Sequence, residues 1–198
     1  DFIGEEINDI SDLQPAIKEI VRYINEEDKD FTIRIHAGEN DSLRNNVRKS
    51  IMCVKESLEK EQEMPRCRIG HGLYSEDLNT ESGKELLKLM KDTGVVIEFQ
   101  LTSNVRLNNL SDLKNHPIKI FLKNGIKCVQ GTDGGGMYGS DTFDEQLALQ
   151  NLLGVTDKEF EKMREVEEEI IENSKKYFAE HIDKQSVFAI INSAAKNI

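Results

Sequence analysis

Two histidines, a glutamate and an aspartate stand at places where apolar runs break off. "TIRIHAGEN", residues 32 to 40, has Ile33 and Ile35 around Arg34 and stops at His36, Ala37, Gly38 and Glu39. "RIGHG" brings His71, and "GTDGGG" brings Asp133 behind another apolar stretch. Imidazole nitrogen and carboxylate oxygen are donors for zinc, and hydrolytic zinc sites usually take three protein ligands and keep a position for water. Zinc lowers the pKa of such a water towards about 7, and a nearby carboxyl group can carry a proton to a leaving group. Glu39 sits three residues past His36, near enough to reach the same pocket. The plain alternative is a turn, with Gly38 bending the chain and Glu39-Asn40-Asp41-Ser42 opening the next helix.

The elements that would position these residues alternate. "SDLQPAIKEIVRYINEE" places Leu13, Ile17, Ile20, Val21 and Ile24 on one helical face. "FTIRIHAG" has the pattern of a strand, and "DSLRNNVRKSIMCVKESLEKEQ" puts Leu43, Val47, Ile51, Val54 and Leu58 on one helical stripe. "CRIGHG" is a short strand end, and the helix in "SEDLNTESGKELLKLMKDTG" stops at Gly94, a C-terminal glycine. "VVIEFQLTSN" is a strong strand, "NHPIKIFLKNG" a short helix between Pro117 and Gly125, and "IKCVQGTDGGG" a strand running into a glycine-rich loop. Helices follow around Thr142 to Leu153 and from Asp157 to about Tyr177. The opening "DFIGEEIND" reads as the end of a further strand. Strand, loop and helix in repetition predict a parallel sheet, which puts its chemistry at the C-terminal strand ends. Gly4, His36 with Glu39, His71, Ser103 with Asn104, and Asp133 all fall at such ends. His116, in "KNHPIK", is expected to serve helix entry and packing. "GTDGGG" lacks the GxxxxGK[ST] pattern of a phosphate loop.

Composition narrows the function. The 198 residues suffice for one domain with a core. A formal net charge of −11 opposes a groove that tracks nucleic-acid phosphates, so no nucleic-acid partner is expected. No apolar run approaches the roughly 20 residues of a spanning helix, and no membrane partner or signal peptide is expected. Three scattered cysteines, Cys53, Cys67 and Cys128, form no CxxC. They fit buried thiols in a reducing compartment, and the expected location is cytoplasmic.

In order along the chain, "DFIGEE", "HAGE", "RIGHG", "LTSN" and "HPIKIFLKNGIKCVQGTD", then "NLLGVTDKEFEKM" with "NSKKYF", resemble the elements of the adenosine deaminase family, within the metal-dependent amidohydrolase superfamily. The resemblance covers nearly the whole chain and implies an α/β fold: a partial (β/α)8 TIM barrel, approximately strands 4 to 8 with their helices. Residues 1–198 would then be the C-terminal part of such a barrel domain. It implies one zinc ion held by His36 and Asp133, with the remaining ligands from an N-terminal His-x-His that does not occur here. Glu39 would shuttle a proton and recognise purine N1, and His71 would orient and polarise the attacking water. Gly4 would offer its backbone to the purine. The implied reaction is hydrolytic deamination at purine C6, with ammonia leaving.

Two departures shape this expectation. Strands 1 to 3 have no counterpart, so the missing N-terminal half of the barrel is an expected partner. Exposed sheet edges would favour self-association, and the isolated chain is expected to be a poor enzyme. The family's second aspartate, which holds the purine, is Gly134 in this chain, within Asp133-Gly134-Gly135. Glycine N–H groups suit an anion, so a phosphorylated or otherwise modified adenine nucleoside is the expected substrate. Two alternatives stay open: a non-catalytic barrel remnant serving protein interaction, and an amidohydrolase acting on a different amino-heterocycle.

Overall fold

The computed structural model describes residues 1–5, 7–107, 109–110 and 112–181. Four parallel strands form one sheet in the order β1-β2-β3-β4: β1 (Thr32–Ala37), β2 (Arg66–His71), β3 (Val96–Phe99) and β4 (Lys127–Gln130). Helices separate them: α1 (Gln14–Glu26) before β1, α2 (Asn46–Glu56), α3 (Glu81–Thr93), then α4 (Leu101–Arg106) and α5 (Ile118–Lys123). After β4 come α6 (Gly135–Tyr138), α7 (Thr142–Leu153) and α8 (Asp157–His181). This is the predicted α/β architecture, and sequential parallel order is that of an arc of a (β/α) barrel.

Strand side chains alternate between two faces. Ile33, Ile35, Ile69, Ile97 and Phe99 form a core with Ile17 and Val21 of α1, Val47 and Ile51 of α2, and Leu86 and Met90 of α3. Phe99 stacks on Phe121 of α5, with ring centres 5.9 Å apart. The opposite face is charged. Arg34 pairs in register with Arg68, and the Glu98 carboxylate accepts from Arg34 Nε at 2.6 Å and lies 2.8 Å from Arg68 Nη1. Arg34 Nη1 also donates to Asp1 at 3.1 Å. α8 lies against this face. Lys127 bonds Glu169 at 2.7 Å, Tyr177 meets Phe31 edge-on, and a cavity of about 250 Å³ separates Thr32, Arg68 and Val96 from Ile170 and Tyr177.

Several expected boundaries moved, each for a local reason. The opening segment forms one parallel bridge, Phe2 to Ile35, through Phe2 N–H to Arg34 O at 2.8 Å and His36 N–H to Phe2 O at 2.9 Å. Ile10–Leu13 is a 3-10 turn capped by Asp9, so α1 begins at Gln14, with Pro15 in its first turn. α2 ends at Glu56, where the Ser57 hydroxyl donates to Cys53 O at 2.6 Å. β3 ends at Phe99, and "LTSN" is the first turn of α4, not a strand tip. α3 ends as predicted, with Gly94 left-handed at φ +65°. All three cysteines are buried thiols, and burial pushes Cys67 up to about 12. Among the described residues no helix is long and apolar enough to cross a membrane.

Candidate active site

The register sets the strand tips side by side: Ala37 faces His71, and Phe99 faces Gln130. Past the tip of β1 the chain turns at Gly38, at φ +75°. A Cβ there would lie 2.5 Å from Tyr74 O and 2.8 Å from Val47 Cγ2, so no larger residue makes this turn. The turn sends Glu39 back over the sheet. His71 and Asp133 also have left-handed backbones, at φ +73° and +58°. A non-glycine residue held there costs on the order of 1–3 kcal/mol, and such strain clusters at functional sites.

These turns bring donor atoms of Glu39, His71 and Asp133 within 4.8 Å of one another. His71 is 1% exposed, and its Nε2 lies 3.8 Å from a Glu39 oxygen. His36 stands beside this trio, not in it. Its ring centre is 5.2 Å from that of His71, and its Nε2 is 3.7 Å from an Asp1 oxygen. The ring packs over Gly70, where a Cβ would come within 3.4 Å of it. The His36 Nε2 is buried without a hydrogen-bond partner. Leaving such an atom unmatched costs about 1–3 kcal/mol. A buried, unmatched nitrogen in the neighbourhood of carboxylates and a second imidazole fits a cation, and the donor types fit zinc.

The electrostatics agree with crowding at one spot. Burial raises the Glu39 carboxyl above its ordinary range, and the Asp133 charge adds to this against His36. Burial lowers the His36 imidazole, helped by the Arg34 and His71 charges and opposed by Glu39 and Asp133. Burial, then the Asp133 and Glu39 charges, raises the Tyr138 phenol.

The chain matches the adenosine deaminase family over residues 5–185. It belongs to the adenosine deaminase family. It is 32% identical over 164 residues to an adenosine deaminase of Plasmodium gallinaceum, covering 82% of this chain and 41% of that protein. An adenosine deaminase of Plasmodium falciparum (isolate 3D7) is 31% identical over 163 residues, covering 82% of this chain and 39% of that protein. One of Escherichia coli (strain SMS-3-5 / SECEC) is 29% identical over 133 residues, or 65% of this chain and 34% of that protein. The chain thus spans about two-fifths of the length of these two Plasmodium relatives.

Within this adenosine deaminase family member, the two glycines expected to face substrate differ in setting. Gly4 is exposed, two residues past the Phe2 bridge, with open space where a Cβ would stand. Gly134 caps the start of α6 beside Asp133, and a Cβ there would lie 3.2 Å from the Tyr138 ring. Sequence reasoning did not single out Asp1, Arg34, Glu98 or Gln100 as part of the site or its support. Glu98 had a legible signal, a lone carboxylate inside the apolar run "VVIEF". Asp1, Arg34 and Gln100 had none, since each matters through a partner on another strand.

Proposed function

We propose that residues 1–198 are the C-terminal part of a zinc-dependent deaminase barrel that hydrolyses adenosine or an adenine nucleotide at purine C6. The convergence of Glu39, His71 and Asp133 at the strand ends, with the unmatched Nε2 of His36 beside them, carries this reading. In it His36 and Asp133 hold the metal. Zinc, when bound there, supplies Lewis acidity and acidifies water. The chain's own side chains do the rest. Glu39, whose carboxyl is raised by burial, keeps a proton for purine N1 and so draws electron density from C6. His71 offers Nε2 to the attacking water and aims it at C6. The water oxygen bonds to C6 as N1 takes the Glu39 proton. Of the two water protons, Glu39 relays one to the amino group, which leaves as ammonia as the C6–N bond breaks, and keeps the other, which restores its carboxyl. Gly4 and Gly134 lie on the purine side. The natural location in this reading is the cytoplasm, where the thiols stay reduced.

The experiment is ammonia release by the full-length protein from adenine, adenosine, AMP, ATP and N6-substituted analogues, with zinc measured in parallel. Glu39→Gln should lower turnover by about 10²- to 10⁴-fold, the range for a general acid/base group, with zinc content unchanged. His36→Ala should lose zinc. Near-normal turnover in Glu39→Gln would refute the mechanism. A metal-free full-length protein inactive on every adenine compound would support the barrel-remnant alternative.

A further inference from the structure

One turn of helix holds His71 at two points. The His71 N–H donates to Gln100 Oε1 at 3.2 Å, and His71 Nδ1 lies 3.2 Å from Asn104 Oδ1. Gln100 is the N-cap of α4, and Asn104 follows four residues later, so both amides leave the same side of the helix. A backbone N–H can only donate, so the Gln100 atom facing it is its oxygen. This bond supports a residue whose backbone is otherwise strained at φ +73°.

Asn104 is itself rigidly placed. It is 0% exposed, its N–H donates to Gln100 O at 3.1 Å, and its carbonyl accepts the N–H groups of Asn109 and Leu110 at 2.9 and 3.2 Å. The helix start is anchored from outside by Glu145 of α7, wholly buried, whose carboxylate accepts the Thr102 N–H at 3.1 Å. An amide oxygen only accepts. The imidazole nitrogen facing it therefore carries the proton, and the lone pair of the neutral ring is left on Nε2, towards Glu39.

We propose that Asn104 is a positioning residue that fixes His71 as the Nδ1–H tautomer, with Gln100 holding its backbone, so that Nε2 is the nitrogen presented to the reaction. The catalytic consequence rests on the deaminase reading above. The tautomer does not, because it can be read without turnover.

The test is a two-bond ¹H–¹⁵N correlation spectrum of the labelled chain at mildly alkaline pH, with the His71 signals identified by their loss in His71→Gln. The expected pattern is Nδ1–H with an unprotonated Nε2. Asn104→Asp, which keeps an acceptor, should retain it. Asn104→Leu should lose it, and in the full-length enzyme should lower turnover about 10- to 100-fold, the usual effect of removing a histidine's outer partner. An Nε2–H pattern in the unmodified chain overturns the proposal, because it would mean that Asn104 presents its NH₂ instead. So does an Nδ1–H pattern that survives in a folded Asn104→Leu. If Asn104→Leu does not fold, the spectra of the unmodified chain and of Asn104→Asp decide alone. A correct tautomer in a full-length protein that deaminates nothing would retire the deaminase reading and leave the positioning role standing.

Discussion

At the residue scale, two positions make contrasting predictions. Gly134 has φ −104°, which any residue adopts, and the nearest atoms to a Cβ there would be those of the Tyr138 ring at 3.2 Å and Met137 at 3.5 Å. Gly134→Asp should therefore fold. In the deaminase reading it restores a partner for a purine nitrogen, and one buried polar contact is worth roughly 1–3 kcal/mol, or about 5- to 150-fold in affinity. The full-length variant should shift towards plain adenosine by that order in competition assays, and unchanged specificity would count against the role given to Gly134. His116 is the opposite case, a structural histidine. Its Nδ1 accepts the Ile118 N–H at 3.3 Å, its ring centre lies 5.0 Å from that of Phe99, and burial pushes it down to about 4. An unfolded chain titrates this ring near about 6.5. Above that pH both states are neutral and the ring has no effect on stability. As pH falls from about 6.5 to about 4, only the unfolded chain gains the proton, so stability drops by up to about 3 kcal/mol. Urea melts across this window should show the loss, and His116→Leu should flatten it.

At the element scale, α4 is a six-residue helix that cannot stand by itself. Glu145 holds its first turn by accepting the Thr102 N–H with both carboxylate oxygens, at 3.1 and 3.3 Å. Burial raises that carboxyl, and the bonds from Thr102 partly offset the effect. Removing the acceptor leaves a half-buried N–H without a partner, a loss of about 1 kcal/mol, the low end for such groups. Glu145→Leu should lower the urea midpoint accordingly, and Glu145→Gln, which keeps an oxygen, should lose less. The same pair should order the His71 tautomer signal, because α4 carries Asn104. Equal stability in both variants would mean that packing alone, not this cap, fixes the helix.

At the scale of the whole molecule, the described sheet does not close. β1 has only the Phe2 bridge on its outer side, and β4 pairs only with β3. α8 shields the open side of β4, where the Glu167 carboxylate takes the Gln130 N–H. Phe160 and Met163 anchor the same helix in the core. Closing a barrel would require a neighbouring strand to claim that N–H, so α8 would have to move. Open edges and apolar side chains such as Ile3, Met137 and Phe143, each more than half exposed, favour association. Light scattering of the chain should detect species larger than a monomer, and truncation after Gly154 should increase them. A clean monomer in both would argue that the open edges are tolerated.

Local sequence determined the elements. Period-3.6 and period-2 patterns place apolar residues on one face whatever the rest of the molecule does, so α1, α3 and the four strands were legible. Gly94 and Gly125 marked helix ends because a left-handed backbone at φ +65° and +72° selects for glycine. "HAGE" and "RIGHG" revealed His36, Glu39 and His71 as candidates by type and order. Tertiary structure alone decided which of them meet. Whether Glu39, His71 and Asp133 converge depends on the register between strands and on the left-handed backbones of His71 and Asp133, which neighbouring residues do not specify; only the turn at Gly38 was legible locally. The same holds for the Arg34–Glu98 bond, which spans 64 positions, and for "LTSN". That segment has the composition of a strand's continuation, yet it winds into a helix because Glu145, far along the chain, satisfies the N–H that a strand would have given to its neighbour.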